Sequence, residues 1–89
     1  MNKPQKNAEL AWKKIGEEIL IIDSRSNKEV HRLNAVGSSI WELCNGENLF
    51  EDIVISLGKE YSLELDVARA DTNEYIKKLG DMGLLKEAL

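Results

Sequence analysis

The stretch His31-Arg32-Leu33-Asn34-Ala35-Val36-Gly37-Ser38-Ser39-Ile40-Trp41-Glu42-Leu43-Cys44-Asn45-Gly46 marks where the hydrophobic period of this chain changes from that of a strand to that of a helix. Asn34 is placed as an N-cap, its side-chain oxygen able to accept from the free amides of a first turn. Val36, Ile40 and Leu43 share one helical face, Cys44 flanks it, and Asn45-Gly46 supplies the stop. Trp41 falls off that face. Either it packs under a sheet or against the next helix, or it lines a contact surface together with Leu49 and Ile55, which also lie outside an inner stripe.

Upstream, the β-branched enrichment of 17–23 predicts a strand, and Gly16 suits a reversal from a preceding strand over 10–15. Ser24–Asn27 reads as a turn by composition, followed by a third strand over 28–33 in which Val30 and Leu33 share a face only if a bulge intervenes. Residues 1–9 are polar, with Pro4 discouraging a helix, and are expected to form a flexible tail ahead of a domain spanning 10–89. Downstream, Asn48 and Glu51 have the spacing of a capping box, and Phe50, Ile53, Val54, Leu57 and Tyr61 form the inner stripe of a second helix. Asp66 is placed to cap a third helix running to about Met82. Its broad face carries Ala68, Thr72, Tyr75, Ile76, Leu79 and Met82, with Gly83 as the residue after its end. The predicted class is α+β: a three-stranded antiparallel meander followed by three helices, similar to a winged helix-turn-helix in which the sheet comes first.

Composition narrows the chemistry. With 89 residues and one cysteine the chain is a single small domain with neither an intramolecular disulfide nor a CxxC site. Cys44 reads as a small buried hydrophobe, and a reducing cytoplasmic setting fits it. No apolar run is long enough to cross a bilayer. His31 is the lone histidine, and no metal-ligand cluster, phosphate loop or nucleophile–base pair accompanies it, so neither a catalytic residue nor a cofactor or metal site is expected. Ser38-Ser39 has no partner base. The acidic pairs Glu17-Glu18 and Glu51-Asp52 suit a solvated face or a helix start rather than paired-carboxylate catalysis.

Charge is uneven. Residues 1–33 hold seven Lys/Arg against five Asp/Glu, whereas 34–89 hold five against eleven. The third helix carries Arg69, Lys77 and Lys78 against Asp66, Asp71, Glu74 and Asp81, a poor match to a phosphate backbone. The third strand, at an uncovered sheet edge beside an amphipathic helix, instead suits an extended peptide that pairs with it.

Leu33-Asn34, Gly37, Ile40-Trp41, Leu43 and Gly46 resemble the "LN..G..IW.L..G" signature of the PqqD-like proteins. The likeness extends upstream through Ile19–Asp23 and Val30–Leu33, and downstream through Phe50–Ile53 and Leu79 to Leu85, about residues 12–86 in all. The resemblance implies a RiPP recognition element, a non-catalytic module that binds the leader region of a ribosomally made precursor peptide. It further implies presentation of that peptide to a modifying enzyme, often of the radical S-adenosylmethionine type, as in pyrroloquinoline quinone or related pathways. On this chain Glu29, Val30, His31 and Arg32 would provide the pairing edge, and Asp71, Tyr75 and Lys78 the helical wall. Leu33, Asn34, Gly37 and Gly46 would be structural. The rival readings are a small winged-helix DNA-binding regulator and a dimerisation module whose edge strand pairs with its own copy.

Overall fold

Gly16, at φ +62°, turns the chain within two residues and brings Ile15 opposite Glu18. The reversal closes a hairpin between β1 (Ala11–Ile15) and β2 (Glu18–Asp23), and β3 (Glu29–Leu33) pairs antiparallel to β2 on its other side. A first central residue at positive φ followed by one at negative φ is the pattern of a hairpin turn whose twist matches that of the strands. The structure, a computed structural model, describes residues 3–25 and 29–86. Lys28 of the expected third strand, and Ser26 and Asn27 of the expected turn, lie outside the described residues. Three helices follow: α1 (Ala35–Leu43), α2 (Phe50–Tyr61) and α3 (Leu65–Asp81). The architecture is α+β, with sheet order β1-β2-β3.

The β2–β3 register runs without a bulge: Ile19 faces Leu33, Ile21 faces His31 and Ile22 faces Val30. Val30 and Leu33 therefore lie on opposite faces of the sheet, because side chains alternate along a strand. Ile19, Ile21 and Leu33 enter a core with Leu10, Trp41, Leu79 and Leu84. Ile40, Cys44, Ile53 and Leu57 form a second cluster between α1 and α2, with Val36, Leu43 and Tyr75 packed against it. Helix α1 is the partition between the two, which explains why its apolar residues exceed a single stripe. Trp41 is fully buried and meets Trp12 edge-on, ring centroids 6.2 Å apart, so it is a core residue and not a surface contact. Leu49 and Ile55 remain exposed. Burial pushes the Cys44 thiol up to about 11, which leaves it protonated and inert.

Helix ends depart from expectation in two places. Asn48 does not cap α2: its amide donates to the Leu43 carbonyl at 3.0 Å, closing the exit of α1. Leu49 takes the cap position, and Asp52 rather than Glu51 accepts from its backbone N–H at 2.9 Å. Glu51 is drawn outward by Arg69, at 3.0 and 2.7 Å. Helix α3 starts at Leu65 with Glu64 as its cap residue, so Asp66 sits in the first turn, where a negative charge meets the positive end of the helix dipole. At its other end Gly83, at φ +72°, lets Gly83 N–H donate to Gly80 and Leu84 N–H to Leu79, at 3.0 and 2.9 Å. This is the Schellman arrangement, and it folds Leu84 into the core beside Leu79.

Residues 4–7, read from sequence as part of a tail, run between two segments distant in the chain. Gly46 N–H donates to Pro4 and Lys6 N–H to Cys44 on one side; Lys86 N–H donates to Gln5 and Asn7 N–H to Leu84 on the other, at 2.7–3.1 Å. The Lys6 ammonium donates to the Glu42 and Cys44 carbonyls at 3.3 Å and stands 5.5 and 5.6 Å from the Trp12 and Trp41 rings. A cation there faces the negative end of α1 and two aromatic faces together. No composition rule reveals such pairing, since polar residues satisfy backbone partners as readily as solvent does. Removing residues 1–7 should therefore lower stability by about 2 kcal/mol, the scale of a few backbone hydrogen bonds. A thermal melt should show a Tm drop of the order of 10 °C in a domain this small; an unchanged Tm would mean that the segment contributes nothing.

Candidate peptide-binding groove between the third strand and the third helix

Hairpin parity determines which backbone groups are free at the sheet edge. In a two-residue hairpin the closing pair, Ile15 and Glu18, exchanges both hydrogen bonds, so Glu18, Leu20 and Ile22 direct their amides and carbonyls to β1. Ile19, Ile21 and Asp23 then serve β3, and they occupy the main-chain groups of Leu33, His31 and Glu29. Val30 and Arg32 are left with N–H and C=O groups pointing away from the sheet. Among the described residues no strand pairs with that side of β3. An unpaired edge of this kind is a template for another extended chain.

A groove of about 270 Å³ runs between this edge and α3. Val30, His31 and Arg32 form its strand wall; Tyr75 and Lys78 rise from the helix; Leu33, Leu79 and Met82 complete the lining. Leu33 and Leu79 are buried and Met82 half-buried, so the floor is apolar, while the Lys78 ammonium, 5.9 Å from the Tyr75 ring, adds positive charge at the rim. Glu29 heads the strand but does not line the groove, and Asp71, a turn before Tyr75, lies outside it. Leu33, Leu79 and Met82 were read from sequence as core or structural residues. For Leu79 and Met82, helical spacing to Tyr75 and Lys78 is the signal that links them to the groove, but periodicity cannot separate the floor of an open groove from a closed core.

Two braces hold α3 at this distance from the sheet. At one end the Asn34 side-chain oxygen accepts from the Gly37 N–H at 2.8 Å, capping α1, and from the Tyr75 hydroxyl at 2.7 Å. Gly37 makes room for this: a Cβ there would come within 2.7 Å of Tyr75 Cζ. Burial raises the Tyr75 hydroxyl above its ordinary range, with Glu74 and Asp71 adding to the effect and the Asn34 bond opposing it, so it stays a donor at neutral pH. At the other end Arg25 clamps the buried Asp23 carboxylate at 2.9 and 3.0 Å and donates to the Gly83 carbonyl at 2.8 Å. That link joins the end of β2 to the end of α3. Elsewhere, Ser38 donates to the Leu33 carbonyl at 3.2 Å and Ser39 bonds Tyr61, so both serines serve packing. Among the described residues no group of three His, Cys, Asp or Glu could hold a metal ion, and no helix is long and apolar enough to cross a membrane.

Both braces are testable. Gly37→Ala should cost about 1–3 kcal/mol in urea unfolding through overpacking against Tyr75, and much less in a Tyr75→Ala background; equal costs in the two backgrounds would remove the contact from the account. Arg25 holds the Asp23 carboxyl below the usual carboxylate range, chiefly through its side-chain hydrogen bond. Its contribution is thus fully present above the unfolded value of about 4 and is lost as pH falls through the lower folded value. Asp23→Asn should flatten the acid limb of a stability–pH curve, and an identical limb in wild type and variant would contradict the clamp.

Comparison with known proteins bears on the fold and the family. The chain aligns in three dimensions with the structure described as TbiB1 in complex with the TbiA(beta) leader peptide, with a TM-score of 0.84 and 24% sequence identity over 96% of this chain and 98% of that one. No curated protein is significantly similar in sequence. The family model described as coenzyme PQQ synthesis protein D (PqqD) matches residues 18–85, from the first residue of β2 to beyond the end of α3. The chain belongs to the PqqD family.

Proposed function

We propose that this chain is a non-catalytic chaperone that binds the leader of a ribosomally made precursor peptide by strand addition to β3 and presents it to a modifying enzyme. The observation that carries the reading is a strand edge that is unpaired among the described residues, free at Val30 and Arg32, standing beside a groove with an apolar floor and a positively charged rim. Main-chain pairing supplies register and part of the affinity, and the groove selects side chains. Membership of the PqqD family and the fold shared with a leader-bound protein support it. Glu29, Val30, His31 and Arg32 form the pairing segment; Tyr75 and Lys78 form the facing wall, with Asp71 flanking them. The partner enzyme is of the radical S-adenosylmethionine type, and the setting is cytoplasmic. Helix α3 is ill suited to duplex DNA, because Arg69 is engaged by Glu51 and the remaining lysines share the helix with four carboxylates.

A backbone amide NMR titration with leader segments of candidate precursor peptides, using duplex DNA as control, tests the reading. Saturable shifts should cluster at 29–33 and 71–82 with the peptide and be absent with DNA; silence with peptide would sink the proposal. Val30→Pro deletes an outward-facing donor while sparing the ladder to β2, and should weaken peptide binding about tenfold, the equivalent of one well-formed hydrogen bond. Lys78→Glu should change affinity by about 1 kcal/mol, the scale of a rim charge.

A further inference from the structure

The face of the sheet turned away from the helices is not the polar surface that a two-layer domain ordinarily shows to water. Ile22 and Val30 are direct cross-strand partners on it, 42% and 60% exposed. Ile15, 52% exposed, and the half-buried Leu20 continue the same strip toward the hairpin turn. The Glu18–Arg32 ion pair crosses the strip beside Leu20, fixing its polar border. The strip ends at β3, the strand whose far edge is free among the described residues, so it is continuous with the strand-addition site and is completed by whatever pairs there.

We infer that the leader is read on both faces of the sheet, and that its recognition segment carries neighbouring apolar residues. This rests on the strand-addition reading. Side chains of an added strand alternate between faces whichever way the peptide runs. A residue set opposite His31 sends its side chain into the groove over Leu79 and Met82; its neighbour, opposite Val30, lands on the Ile22–Val30 strip at cross-strand contact distance. A strand buried on one face has alternating apolar residues, whereas one covered on both has them in sequence. The ligand class is therefore an extended peptide with two consecutive apolar side chains, one for each face.

Selection from a phage-displayed library of short randomised peptides tests this, using the full chain as wild type, Val30→Lys, Lys78→Glu and Val30→Pro, each checked for an intact amide spectrum. Wild type should enrich adjacent apolar residues. Val30→Lys should turn one member of the pair acidic and weaken wild-type-selected peptides several-fold, while leaving the groove-facing member apolar; Lys78→Glu should alter only positions of the other parity. If Val30→Pro abolishes capture but Val30→Lys leaves the consensus unchanged, strand addition stands and the two-faced reading falls. If Val30→Pro leaves capture intact, strand addition itself fails, and this inference with it.

Discussion

A single side-chain oxygen, Oδ1 of Asn34, receives both the first-turn amide of α1 and the hydroxyl of Tyr75 on α3. The residue that ends the sheet and starts the helices thus also sets where the last helix lies relative to the last strand. Capping oxygens have two lone pairs, so both bonds can form at once. Gly37 is part of the same constraint, since any larger residue would displace the Tyr75 ring. The groove exists because α3 is pinned here and again where Arg25 reaches the Gly83 carbonyl, with the span between left open.

Electrostatics follow the same division. Four carboxylates outside the groove lining are held in ion pairs: Glu18 by Arg32, Asp23 by Arg25, Glu51 by Arg69 and Glu42 by Lys14. Apart from the Asp23–Arg25 clamp, whose carboxylate is buried, these exposed pairs stabilise little on their own. Lys78 stands apart from them at the groove, a cation beside an apolar floor, where a peptide meets positive charge and hydrophobic surface together.

Much of the fold was legible in sequence because the signals were local. The switch of period at Asn34, the Gly16 reversal and the Gly83 stop each act within a few residues, and each element formed where its pattern pointed. The misreadings involve distance. Asn48 has the composition of a cap but is claimed by the Leu43 carbonyl, and Trp41 is off-stripe only while α1 is imagined to have one neighbour. Residues 4–7 carry no periodic pattern, and their partners lie some 40 and 80 positions away. For the candidate groove, the third strand and third helix were foreseeable as elements, but Leu79 and Met82 read as ordinary core, and the Val30 facing depended on a register that alternation alone left open.

The pairing of Lys6 with Leu85 has a consequence for how such a domain can be attached to other proteins. One end of the described chain runs beside the other, antiparallel within the same small patch of backbone, so the described chain enters and leaves the fold on one side. Adjacent ends of this kind are what allow a domain to be inserted within a host loop without stretching either connection.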